Sequence, residues 1–222
     1  MRIGIISEGH TDRAVIINLI IGLTGLDSSD IEPIRPIYLK DETDKAASNP
    51  LAFSNWFIVK EECETRQLID GFLQIEGQEF VIIHIDTAEA ELYGITRPDK
   101  KSDTYCRDLY LLVREKIASW LGEENNEIIC AIAIEEIDAW VLTIFDDRMT
   151  CKLPNPKKAL IQVLNKKSIN SSPTYDNFMA LSDPFSSKKK LVKGGYRNLN
   201  CSLNYFCNEI ENKVIPILTC QL

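Results

Sequence analysis

The chain has 222 residues, of which 45% are apolar and 26% charged, with a net charge of −8. That length suits one α/β domain of about 150 residues with an appended portion, and the negative charge argues against a general nucleic-acid coat protein. No apolar run reaches the ~18 residues of a membrane span, and Met1-Arg2-Ile3 runs straight into a strand pattern, so neither a membrane segment nor a signal peptide is expected.

The first apolar run, Ile3 to Ile6, ends at Ser7-Glu8-Gly9, and Thr11 and Asp12 open a helical pattern. This predicts a strand over 2–7, a tight turn at Gly9 and an amphipathic helix over 11–24. A second strand near 32–39 contains Pro33 and Pro36, which confine it to a sheet edge, and a polar loop follows over 40–50. Residues 53–59 read as a short strand and 61–76 as a helix. The run 79–86 (EFVIIHID) is a further strand, and the loop beyond it extends to 103, broken by Gly94 and Pro98. Leu109, Leu112, Val113 and Ile117 recur at spacings of three and four, which predicts a helix over 104–121. A strand over 128–134 then feeds a helix over 137–146. Beyond Pro154 and Pro156 the pattern is helical, over 156–166, 173–182 and 201–218. The alternation of strand and helix predicts an α/β fold: a Rossmann-like, mainly parallel sheet with helices on both faces in residues 1–150, carrying a helical portion in 151–222.

Three of these strands end in acids. Glu8 follows the first, with Asp12 one turn into the helix. Asp86 closes the strand at 79–86, with Glu89 and Glu91 just after it, and the run 128–134 leads into Glu135, Glu136 and Asp138. Parallel strands bring their carboxyl ends to one edge, where open α/β sheets bind ligands. Converging carboxylates repel one another and call for a cation, and hard oxygen donors select Mg²⁺, Mn²⁺ or Ca²⁺. The plainer account of the first pair is that Asp12 complements the helix dipole and Glu8 is solvated.

The order Glu8-Gly9-x-Thr11-Asp12, an Asp after a later strand, and Glu136-Ile137-Asp138-Ala139-Trp140 resembles the Toprim domain of topoisomerases, primases and OLD-type nucleases. It is similar above all to a bacterial Toprim-like family often encoded near ATPases in phage-defence loci. The resemblance spans approximately residues 1–145. It implies a Mg²⁺- or Mn²⁺-dependent nuclease acting on DNA or RNA, the effector of an anti-phage system with an ATPase partner. By that resemblance Glu8 acts as general acid or base and Glu8 with Asp86 holds one divalent ion. Asp12, Glu136 or Asp138 completes that shell or holds a second ion, the pair stabilising the attacking and leaving oxygens together. The chain departs from the family at Asp86-Thr87-Ala88, where Toprim domains usually carry Asp-x-Asp. Three accounts stand open: Glu89 or Glu91 replaces the missing acid, Glu136 and Asp138 complete the shell, or the chain is a catalytically weak binding or regulatory subunit. A Rossmann-like nucleotide enzyme is the weakest reading, because the first turn lacks a glycine-rich phosphate loop.

Charge is unevenly divided. Residues 151–222 hold 11 Lys and Arg against 4 Asp and Glu, a net +7, and the remainder carries a net −15. The densest basic piece is Lys188, Lys189, Lys190, Lys193 and Arg197. It is a candidate surface for the phosphates of nucleic acid, or for docking a partner or a second copy of the chain, with a solvated lysine face as the plainer account. His10 is placed to touch a phosphate and Arg97 to clamp one, unless Arg97 is simply solvated. His84 reads as buried structure and Trp140 as core rather than a base-stacking platform. The seven cysteines show no CxxC spacing and lie far from both histidines in sequence, which fits reduced thiols in a cytoplasm rather than zinc ligands.

Overall fold

Four apolar runs become strands β1 (Ile3–Ile6), β2 (Ile31–Arg35), β3 (Phe80–Asp86) and β4 (Ile128–Ala133) in a computed structural model that describes residues 1–35, 55–122 and 125–220. They pair in the order β2-β1-β3-β4, every pair parallel. β1 and β4 are buried along their whole length, and so is β3 as far as Ile85, as strands covered on both faces must be. β2 is an edge strand and includes Pro33, in keeping with its missing N–H.

Among the described residues the α-helices of five residues or more are α1 (His10–Thr24), α2 (Asn55–Thr65), α3 (Tyr105–Leu121), α4 (Asp138–Leu142), α5 (Pro156–Lys166), α6 (Tyr175–Leu181), α7 (Lys188–Lys193) and α8 (Cys201–Cys220). Helices α2 and α3 contribute to the core on one face of the sheet, and α1 with α4 to α8 to the core on the other. The division follows from crossover handedness. The chain steps from β1 outward to β2, then returns past β1 to β3, and a right-handed connection in the reverse direction lays its helix on the opposite face.

Helix α1 is not amphipathic. Of its 15 residues 11 are buried, because the sheet covers one side and α6, α8 and the turn Asp183–Ser186 cover the other. The buried Asn18 amide donates to the Met179 carbonyl at 2.9 Å and to Ser182 Oγ at 2.7 Å. Residues 151–220 therefore share a core with the sheet domain. Trp140 is fully buried and stacks on Phe206 of α8, so it is a core aromatic. Helix α8 also closes the outer edge of β4: Cys130 N–H donates to Glu209 at 3.2 Å, Ile134 N–H donates to Ser202 Oγ at 3.3 Å, and Lys213 Nζ donates to the Ile128 carbonyl at 2.7 Å.

Several expected elements are corrected. The strand expected over 53–59 is helix from Asn55 onward, and residues 53 and 54 lie outside the described residues, as does the end of β2 beyond Arg35 and the loop 40–50. The helix expected over 61–76 breaks at Arg66, whose φ of 55° is left-handed, and restarts with a turn over Gln67–Asp70 that runs on into a π-helical turn, Gly71–Ile75. The buried Glu62 carboxylate satisfies the first of these turns, accepting the N–H groups of Leu68 at 2.7 Å and Ile69 at 3.2 Å. Among the described residues no helix is long and apolar enough to cross a membrane.

Gly22 marks the tightest helix contact. A Cβ there would fall 1.9 Å from the carbonyl oxygen of Phe185. Gly22→Ala gains up to ~1 kcal/mol of helix propensity but overpacks a rigid backbone contact at about 1–3 kcal/mol. A net loss of about 1 kcal/mol or more, read as a lower urea midpoint, is expected. An unchanged midpoint would mean that the Asp183–Ser186 turn does not bear on α1.

Candidate functional site

The boundary between β1 and β3 is where the winding of the sheet reverses, and crevices form at the carboxyl edge of such a point. Glu8 stands just past β1, and its Oε1 accepts the Asp86 backbone N–H at 2.6 Å, tying the two strand tips together. Asp12, in the first turn of α1, is only 8% exposed. Gly9 is extended, with φ −142°, so it provides room rather than a left-handed turn: a Cβ there would lie 3.0 Å from Asp12 Oδ2.

His84 and Asp86 share one face of β3, two residues apart. His84 is fully buried, with Nε2 3.3 Å from Asp86 Oδ1 but without hydrogen-bond alignment. Among the described residues neither ring nitrogen of His84 nor that Asp86 oxygen has a hydrogen-bond partner. Glu136 and Asp138 approach from the end of β4, close enough for their charges to act on Asp86.

The electrostatics follow from this convergence. Burial first, then the charges of Asp12, Asp138 and Glu136, push Asp86 well above the usual carboxylate range. Burial and the neighbouring Asp86 do the same to Glu8. Burial, Glu136 and Asp12 push Asp138 up to about 7. Burial holds His84 below its usual value against the pull of Asp12 and Glu8, so the ring is neutral. Two unit charges about 5 Å apart at an effective dielectric of about 20 repel by roughly 3 kcal/mol, so the cluster favours bound protons or a cation. The ring of acids is nevertheless open: among the described residues no three carboxylates bring an oxygen each within 4.8 Å of one another.

Glu8, Asp12, Asp86, Glu136 and Asp138 are thus brought together, and His10 opens α1 at the same edge. Arg97 is engaged within the protein rather than solvated. Its Nη1 meets Tyr105 Oη at 3.1 Å and both Glu135 oxygens at 3.3 Å, its Nη2 meets the carbonyls of Thr87 and Ala88, and its Nε pairs with Glu91 at 2.6 Å. It braces the loop after β3 against Glu135, whose φ of 65° is left-handed, and it occupies Glu91 as well.

The basic run also sits apart from the acids. Lys188, Lys189, Lys190 and Lys193 are exposed on α7, which begins just after Phe185. Phe185 abuts Gly22, 12 residues and about 18 Å along α1 from His10. Lys190 pairs with Asp183 at 3.0 Å, and Arg197 is held by Glu211 at 2.7 Å and by Asn204 and Asn208. The lysine at the acid site is one that sequence reading missed. Lys157, beside Pro156 at the start of α5, donates its backbone N–H to Glu136 at 3.2 Å, and its charge acts on Asp138. The proline at N1 was the available signal. Compared with protein-family models, curated proteins and solved structures, the chain matches none.

These shifts set a pH dependence. Between about 4 and 7 the native Asp138 binds a proton that the unfolded chain has released, so stability falls as pH rises through that window. Glu8 and Asp86 act in the same direction. Unfolding free energy from urea titrations is expected to be higher at pH 5 than at pH 8, and Asp138→Asn should flatten the difference. An Asp138→Asn profile parallel to wild type would show that Asp138 is not held protonated.

Proposed function

We propose that this protein is a divalent-metal-dependent nuclease, of the Toprim kind its motifs resemble, acting with an ATPase partner in defence against phage. The observation that carries the reading is the convergence of five carboxylates from β1, α1, β3 and the turn after β4 at the switch point of a parallel sheet. The donor set suits a hard cation, since it is made of carboxylate oxygens, and the buried, unpartnered His84 and Asp86 Oδ1 beside it leave polar atoms that a ligand would satisfy. Glu8 and Asp86 would hold the ion, with Asp12, Glu136 and Asp138 adding charge around it. Bound Mg²⁺ or Mn²⁺ would supply polarisation of a phosphoryl oxygen and charge for the leaving group.

The chain's own groups do the rest. Glu8, whose Oε1 accepts the Asp86 N–H and whose affinity for a proton burial raises, is placed to exchange a proton with a reacting oxygen. Lys157 offers a positive charge at the rim. The exposed lysines of α7 stand about 18 Å farther along α1, a span that a polymer with a charge every ~1.7 Å bridges and a mononucleotide does not.

The second reading, a catalytically weak binding or regulatory subunit, is favoured by the exposed Ala88 in place of a second acid and by the open carboxylate ring. Glu8→Gln and Asp86→Asn are each expected to weaken Mg²⁺ or Mn²⁺ binding about tenfold or more by calorimetry, with the fold intact. Equal affinity in both variants would remove the metal-site reading. Binding without hydrolysis in the presence of the ATPase partner would favour the second.

Replacing Lys188, Lys189 and Lys190 with alanine is expected to weaken nucleic-acid binding across sequences. The logarithmic salt slope should fall by about 0.9 per lost duplex phosphate contact, with metal affinity unchanged. A triple variant that keeps its nucleic-acid affinity but loses the partner would reassign α7 to docking.

A further inference from the structure

Three thiols that are far apart in the chain meet in a group of their own, with no carboxylate in it. Cys106 is the second residue of α3, Cys151 lies in the segment between α4 and α5, and Cys201 is the first residue of α8. Their Sγ atoms lie within 4.8 Å of one another, and all three are unoxidised. We propose that Cys106, Cys151 and Cys201 form a three-sulfur site for a thiophilic cation, zinc, whose fourth position is open to water.

The geometry is close to what zinc requires. A tetrahedral ion with Zn–S bonds of about 2.3 Å holds its sulfurs roughly 3.8 Å apart, so an inward adjustment of ~1 Å or less closes the site. The backbone N–H of Cys201 is directed at Cys151 Sγ. Cys106 and Cys201 both sit in the first turn of a long helix, where the dipole favours a sulfur anion. Hydrogen bonding within the trio shifts Cys151 down and Cys106 up. Coordination would release the thiol protons, so that three sulfur lone pairs reach one ion.

Cys63, Cys130 and Cys207 are buried outside this trio, and burial raises each of them, as expected of inert core thiols. Cys106 and Cys151 are buried while Cys201 is half-buried, which gives an ion an approach from the Cys201 side. With no carboxylate or imidazole in the trio, the site is soft where the crevice is hard, and the two would not compete for the same metal.

Cobalt is a direct probe. The reduced full chain titrated with Co²⁺ should gain a sulfur-to-cobalt charge-transfer band and strong tetrahedral d–d bands at one ion per chain, and Zn²⁺ should abolish both. The carboxylate crevice cannot produce the sulfur band. Cys151→Ser should lose it, and Cys220→Ser should keep it. A readout that needs no variant is alkylation of wild type. Zn²⁺ should slow iodoacetamide labelling of Cys106, Cys151 and Cys201, located by peptide mass, and leave the exposed Cys220 unaffected. No sulfur band, a band that survives Cys151→Ser, or equal labelling with and without zinc would overturn the proposal.

Discussion

Helix α1 has no solvent face, and the placement of the site depends on that. A helix covered by a sheet on one side and by other helices on the other cannot roll or slide without opening a cavity, and each buried Ile or Leu it would expose is worth about 1.5–3 kcal/mol. Asn18 adds a directional constraint, since its buried amide is satisfied only while Met179 and Ser182 stay in place. With its axis fixed in this way, α1 delivers Asp12 to the edge where β1 and β3 end. The C-terminal helices are therefore part of what aims the carboxylates.

The cluster at that edge works against the stability of the fold. Glu8, Asp86 and Asp138 are all held above the carboxylate range by burial and by one another, and the neutral His84 beside them has two unpartnered nitrogens. Several buried polar groups elsewhere are answered. Glu62 accepts two backbone N–H groups, Asn200 and Ser202 bond to each other, and Glu135 is met by Arg97 and Lys100. The contrast within one molecule sets the β1/β3 edge apart, because local rules of packing and pairing are most often broken where a protein does its chemistry.

Much of this was legible in the sequence. Apolar β-branched runs ending in acids gave the strands, and the strand–helix alternation gave a parallel sheet whose carboxyl ends must share an edge. Pro33 gave the edge strand. What was not legible depends on the tertiary neighbourhood. Residues 53–59 are a short aromatic and β-branched run whose periodicity fits either element, and from Asn55 onward the chain is helical. The amphipathic reading of α1 failed because its covering came from residues 160 or so positions away. Arg97 looked available because its partners, Glu91 aside, are backbone carbonyls and residues from other segments. The cysteine trio left no trace in spacing, since each thiol comes from a different segment.

The seal that α8 lays along β4 has a consequence for assembly. A strand of another molecule could lengthen the sheet only by bonding to an unpaired edge, and on β4 outward groups of Ile128, Cys130 and Ile134 are already engaged by Lys213, Glu209 and Ser202. At the opposite border Pro33 contributes no amide hydrogen. Self-association through a continuous intermolecular sheet, the usual route from an open α/β edge to fibrous aggregates, is blocked on the β4 side by side chains of the same chain. On that side a second copy would meet the side chains of α8 rather than a row of free backbone groups.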